Sequence, residues 1–141
     1  MRDLLNKAKV NILEVVPSEL SPDNQYCRSV AAMLALGVSA SRKFTEIDYD
    51  GVAAFFSQDK FLKKEQIVSR AMEFFRLYIK ELQAASQIDD LEFSTAQVKL
   101  IDAARQCPEK HKAKFAEQLN TLMGAAEPSA KQLLGRLNPW R

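Results

Sequence analysis

The sequence is short of the residues that build reactive or cross-linked sites. It has one histidine (His111), two cysteines (Cys27 and Cys107), four glycines and one tryptophan. A single histidine excludes an HExxH zinc motif, and no GxSxG elbow, P-loop or GxGxxG is present. A hydrolytic triad would have to use that same His111. The two cysteines form no CxxC and suggest no disulfide framework, which fits a reduced, cytoplasmic setting. An excess of one charge is also missing. Lys plus Arg number 20 and Asp plus Glu 18, a formal net charge of +2. That is too weak a field to collect nucleic acid or coat an anionic membrane. Long apolar runs are absent too. The longest, residues 30–38, is about half of the ~18–20 residues that a membrane span requires. Residues 1–16 carry Arg2, Asp3, Lys7, Lys9 and Glu14, so no apolar leader core is expected there.

What is present is an ordinary globular composition, 47% apolar over 141 residues, which predicts one domain over 1–141 with a core of its own. Apolar residues recur at helical spacing. A first amphipathic segment is expected over 3–16, with Leu4, Leu5, Ala8, Ile12 and Val15 on one side. Ser21-Pro22 is a strong helix start, the serine as N-cap and the proline at the first helical position. Tyr26, Val30, Met33, Leu34, Gly37 and Val38 share one face of the helix that follows. Thr45, with Asp48 three residues on, is expected to cap a third helix. The broadest apolar face lies over 64–87, through Val68, Ala71, Phe75, Tyr78 and Leu82, and predicts a central helix. Ser94-Thr95-Ala96-Gln97 reads as a capping box opening a fifth helix, preceded by a polar loop at Asp89-Asp90. Pro108 separates it from a sixth, with Phe115, Leu119, Leu122 and Met123 inward. Ser129 is expected to cap a short last helix that stops at Asn138-Pro139. The fold class predicted is therefore all-α: a compact bundle of about seven helices.

Three constellations bear on chemistry. Glu46-Ile47-Asp48-Tyr49-Asp50-Gly51 resembles the first half of a calcium loop, which needs oxygen ligands at its first, third and fifth places and a turn at its sixth. The closing carboxylate at the twelfth place is missing, because that residue is Ser57. Glu46, Asp48 and Asp50 are thus marginal metal candidates, and a helix N-terminus that favours acidic residues accounts for them equally. Cys107 and His111 are four apart, but two ligands do not complete a tetrahedral site. His111 is expected to be solvated in the charged stretch 109–114. No cofactor is expected. Lys110, Lys112 and Lys114, with Lys131, Arg136 and Arg141, make the last third mildly basic. Glu109 and Glu117 dilute that patch.

The order of segments resembles the TerB-like tellurite-resistance family over most of the chain. The helix ending in Val38-Ser39-Ala40-Ser41 is similar to the family's first helix leading into an acidic loop. The segment 68–82, with Glu73-Phe74-Phe75, is similar to its central helix. Cys107-Pro108-Glu109 and the helix to Met123-Gly124-Ala125-Ala126 are similar to its second half. The resemblance implies a bundle of about seven helices. The family's pair of metal-binding Asp-Gly loops is not retained: Arg42-Lys43 and Ala126-Glu127-Pro128 stand at those places. It implies a divergent, non-enzymatic interaction module in a stress-response or membrane-associated assembly. The alternatives are a nucleic-acid-associated regulator from a mobile element and an enzyme built on Asp89 and Asp90. The surface expected to meet a protein partner, or a second copy, is the last segment: Leu133, Arg136, Leu137, Trp140 and Arg141.

Overall fold

The computed structural model describes residues 21–64 and 66–137. The expected helix over 3–16 lies outside them, as do Asn138, Pro139, Trp140 and Arg141. Among the described residues the chain is all-α, with seven α-helices and no strand. They are α1 (Pro22–Ser39), α2 (Tyr49–Ser57), α3 (Lys60–Lys64), α4 (Val68–Ser86), α5 (Asp90–Arg105), α6 (Lys112–Ala125) and α7 (Pro128–Leu134). Single 3-10 turns occupy Phe44–Glu46, Glu109–His111 and Gly135–Leu137.

The central element is α1, not the 64–87 helix that the sequence singled out. Every residue of α1 from Tyr26 to Leu36 is buried. A helix buried all round belongs in the middle of a bundle. Its alanines let neighbours approach closely, and α4, α5, α6 and α7 all pack on it. By contrast α4 buries one stripe, with Ala71, Phe75, Tyr78 and Leu82 inside and Glu73, Arg76 and Lys80 in solvent. Small residues carry little hydrophobic signal, so the sequence pattern favoured the helix with the larger side chains.

The caps explain most boundaries. Ser21 accepts from Asn24 N at 3.2 Å and Pro22 opens α1, as expected. Other starts differ from expectation. Asp48, not Thr45, caps α2, accepting from Gly51 N at 3.0 Å. A Cβ on Gly51 would stand 2.6 Å from Asp48 Oδ2, so any side chain there would make the cap carboxylate shift. A short helix not expected from the sequence, α3, follows α2, and Asp59 starts it. Its Oδ1 accepts from Phe61 N and Leu62 N at 2.9 and 3.1 Å. The fifth helix begins at Asp90 with Asp89 as cap, bonded to Glu92 N at 2.7 Å. The pair Asp89-Asp90 is therefore a helix start, not a loop. Thr95 is mid-helix and donates back to Leu91 O at 2.9 Å. The last helix opens on Pro128, with Glu127 at the cap place instead of Ser129.

Candidate functional site

The most concentrated buried polar group lies where α1, α3 and α6 meet. Asp59 is 4% exposed. Its Oδ2 accepts from the Tyr26 hydroxyl at 2.5 Å and from Gln118 Nε2 at 3.1 Å, and its Oδ1 holds the start of α3. Four donors thus converge on one carboxylate, which ties three helices together and meets the demand that buried polar groups be paired. Burial raises the Tyr26 pKa far above the ordinary phenol value, and the Asp59 bond and charge add to it. Tyr26 is therefore a fixed donor. Beside Asp59 is an open cleft of about 240 Å³ lined by Phe61, Lys114, Glu117 and Gln118.

His111 sits against this group. It is 4% exposed, contrary to the solvated position expected for it. Its ring centroid is 4.9 Å from Tyr26 and 4.4 Å from Phe61. Neither ring nitrogen has a hydrogen-bond partner in the described protein. Nε2 is 3.5 Å from Asp23 Oδ1, beyond the range of a good hydrogen bond. Burial lowers its pKa; Asp23 opposes that, while Lys114 and Lys110 reinforce it. The signal missed in the sequence was spacing. His111, Phe115 and Leu119 are four apart and all buried, so the histidine, at the N-cap place of α6, continues that helix's inward face. The charges around it belong to the outward face. Asp59 had a signal as well: an Asp just before Phe61-Leu62 is a cap pattern.

The remaining candidates are dispersed. Cys27 and Cys107 are buried, unpaired thiols, and burial pushes both up to about 12, which suppresses the thiolate at neutral pH. Cys107 does not join His111 in a ligand set. Among the described residues no three His, Cys, Asp or Glu side chains gather closely enough to hold a metal ion. The half calcium loop is dismantled by the fold: Glu46 is in a 3-10 turn, Asp48 is engaged as the α2 cap, and Asp50 is in the first turn of α2. A second buried polar contact joins α1 and α4, where Arg28 Nε donates to the Tyr78 hydroxyl at 3.0 Å; nearer the surface, Lys99 Nζ of α5 donates to Glu81 Oε1 of α4 at 2.9 Å.

The basic stretch is locally compensated. Lys112 pairs with Glu109 at 2.5 Å, Lys110 lies 3.9 Å from Asp23, and Lys114 stands over the Phe61 ring. At the C-terminal edge, Leu134 and Leu137 are fully buried. Leu137 is thus a core residue, and its side chain has no surface to offer a partner. Leu133 is half-buried and Arg136 exposed, and both line a cleft of about 350 Å³ with Ala40, Gln97, Ser129 and Gln132. Trp140 and Arg141 lie outside the described residues.

Fold and site together define an all-α bundle whose buried polar groups bind helix to helix. No protein-family model, no curated protein and no solved structure matches the chain.

Proposed function

We propose that this chain is a non-enzymatic helical interaction module, TerB-like in the layout of its segments, that acts through protein contacts in a stress-response or membrane-associated assembly. The observation that carries this reading is the cleft between α5 and α7. Leu133 supplies an apolar floor, and Gln97, Ser129, Gln132 and Arg136 supply a hydrogen-bonding and cationic rim. An apolar centre within a polar rim that includes arginine is the make-up of a protein-docking surface. The fates of the reactive groups support the same reading. The thiols are held protonated in the core, and Asp59 is saturated with donors. The compensated lysines turn the argument away from nucleic acid.

The test is affinity capture from cells that make the protein, with the wild type beside a variant carrying Gln132→Trp and Arg136→Glu. Both positions are exposed, so the fold should survive. The variant should lose the partner at an unchanged melting temperature. An unchanged set of captured proteins overturns the cleft reading. DNA binding that falls steeply with salt would favour the regulator instead.

A further inference from the structure

Among the described residues, four large apolar side chains are conspicuously exposed, and three of them sit together. Ile88 is 69%, Leu91 73% and Val98 44% exposed. Ile88 is in the turn between α4 and α5, and Leu91 and Val98 are on α5. The last two are seven residues apart, two helical turns, so they share one outward stripe. Ser94 and Thr95 lie between them and are exposed. Glu92 and Lys99 are also seven apart and form the adjoining flank. Both are exposed.

This stripe is complementary to itself when reversed. We infer that α5 is a homodimer surface, on which a second copy of the chain packs its own α5 antiparallel across a two-fold axis between Ser94 and Thr95. In that register each Leu91 meets the partner copy's Val98, and the contact occurs twice. A two-fold also keeps each flank on the same side, so Glu92 of one copy comes alongside Lys99 of the other. The small Ser94 and Thr95 at the axis let the helices approach closely. Ile88 extends the apolar contact at both ends. The parallel orientation gains no such pair: its two-fold runs along the helices and sets the two copies' Glu92 and Lys99 flanks on opposite sides of the seam. Charge therefore chooses the antiparallel pair, and apolar area drives it. Lys99 Nζ already meets Glu81 within its own chain at 2.9 Å, but the side chain is 46% exposed and its ammonium has donors to spare.

The full chain should show a mass that rises from the 15.9 kDa monomer toward twice that value as concentration increases, by light scattering or sedimentation. Leu91→Asp should hold it monomeric with its helicity unchanged, since the residue is exposed. Orientation is read by cysteine trapping. An equimolar mixture of Leu91→Cys and Val98→Cys chains should form a disulfide-linked dimer under mild oxidation, and Leu91→Cys alone should form far less. A chain that stays monomeric up to roughly 1 mM overturns the inference, because even a millimolar dissociation constant would show there. Association that persists in Leu91→Asp overturns it as well, by placing the contact elsewhere. Trapping of Leu91→Cys alone as efficient as the mixture rejects the antiparallel pair.

Discussion

At the scale of single residues, the fold turns on side chains whose surroundings contradict their polarity. His111 sits in an aromatic clamp where burial disfavours its charged form, a penalty that Asp23 at 3.5 Å offsets only in part. Its folded pKa is below the unfolded value of about 6.5. Below that value the unfolded chain binds more protons than the native one, so stability falls with pH. The contribution is intact above pH ~6.5 and is lost as pH drops through that value toward the folded pKa. Wild type should therefore lose more melting temperature between pH 7 and 5 than His111→Phe, which keeps an aromatic ring in the clamp but cannot charge. Superimposable pH profiles would show that the histidine is not the acid-sensitive group. Asp59 gives a second prediction. Tyr26→Phe removes one donor and leaves a buried carboxylate oxygen short, at about 1–3 kcal/mol. Asp59→Ala should cost more, because it strips the α3 cap and orphans both Tyr26 and Gln118. Urea midpoints of the two variants check the order. The sequence carries local signals for both, the four-residue spacing of His111 to Phe115 and the cap pattern of Asp59 before Phe61-Leu62, but not their burial, which is set by contacts with α1 that lie far away along the chain.

At the scale of elements, what could be read locally was read well, and what depended on packing was not. Ser21-Pro22 predicts the start of α1 because both the cap and the proline act within one turn. The stripe through Phe75 predicts the inward face of α4 for the same reason. Phe75 is fully buried against Phe56 and Tyr49, and Phe75→Ala should cost about 3–5 kcal/mol in a denaturant titration. The competing starts were misjudged where several capping residues crowd together. Thr45 and Asp48 both satisfy the local pattern, and so do Asp89 and Ser94; which one caps is decided by where neighbouring helices end. The α2 start can be tested without reference to the rest. Gly51→Ala forces the Asp48 carboxylate off its bond and should cost about 0.5–2 kcal/mol, the worth of a cap. In an Asp48→Ala background the same change should be neutral or stabilising, because alanine is the better helix former by about 1 kcal/mol. Equal costs in both backgrounds would show that the cap is not what holds that glycine.

At the scale of the whole molecule, the all-α class was legible from periodicity alone, because helical spacing is a local property repeated in every segment. The arrangement was not, and the candidate surface was legible only in part. Leu133, Leu134 and Leu137 look alike in sequence, yet their exposures separate once α7 lies against α1. Leu134 and Leu137 enter the core and Leu133 is left half-buried at the floor of the cleft. The two surfaces assigned here, the cleft and the α5 stripe, adjoin on one helix. Gln97 faces the cleft and Val98 belongs to the stripe, and consecutive residues on a helix point about 100° apart. They are close but do not share a side chain, which makes their roles separable. Leu91→Asp should abolish self-association and leave capture of the partner intact at saturating concentration. Gln132→Trp with Arg136→Glu should do the opposite, leaving the concentration dependence of mass as in the wild type. The combined variant should lose both functions and still melt as a folded helical protein, since all three positions are exposed. If either single set removes both functions at an unchanged melting temperature, the partner binds only the assembled pair, and the cleft and the stripe are then one interface.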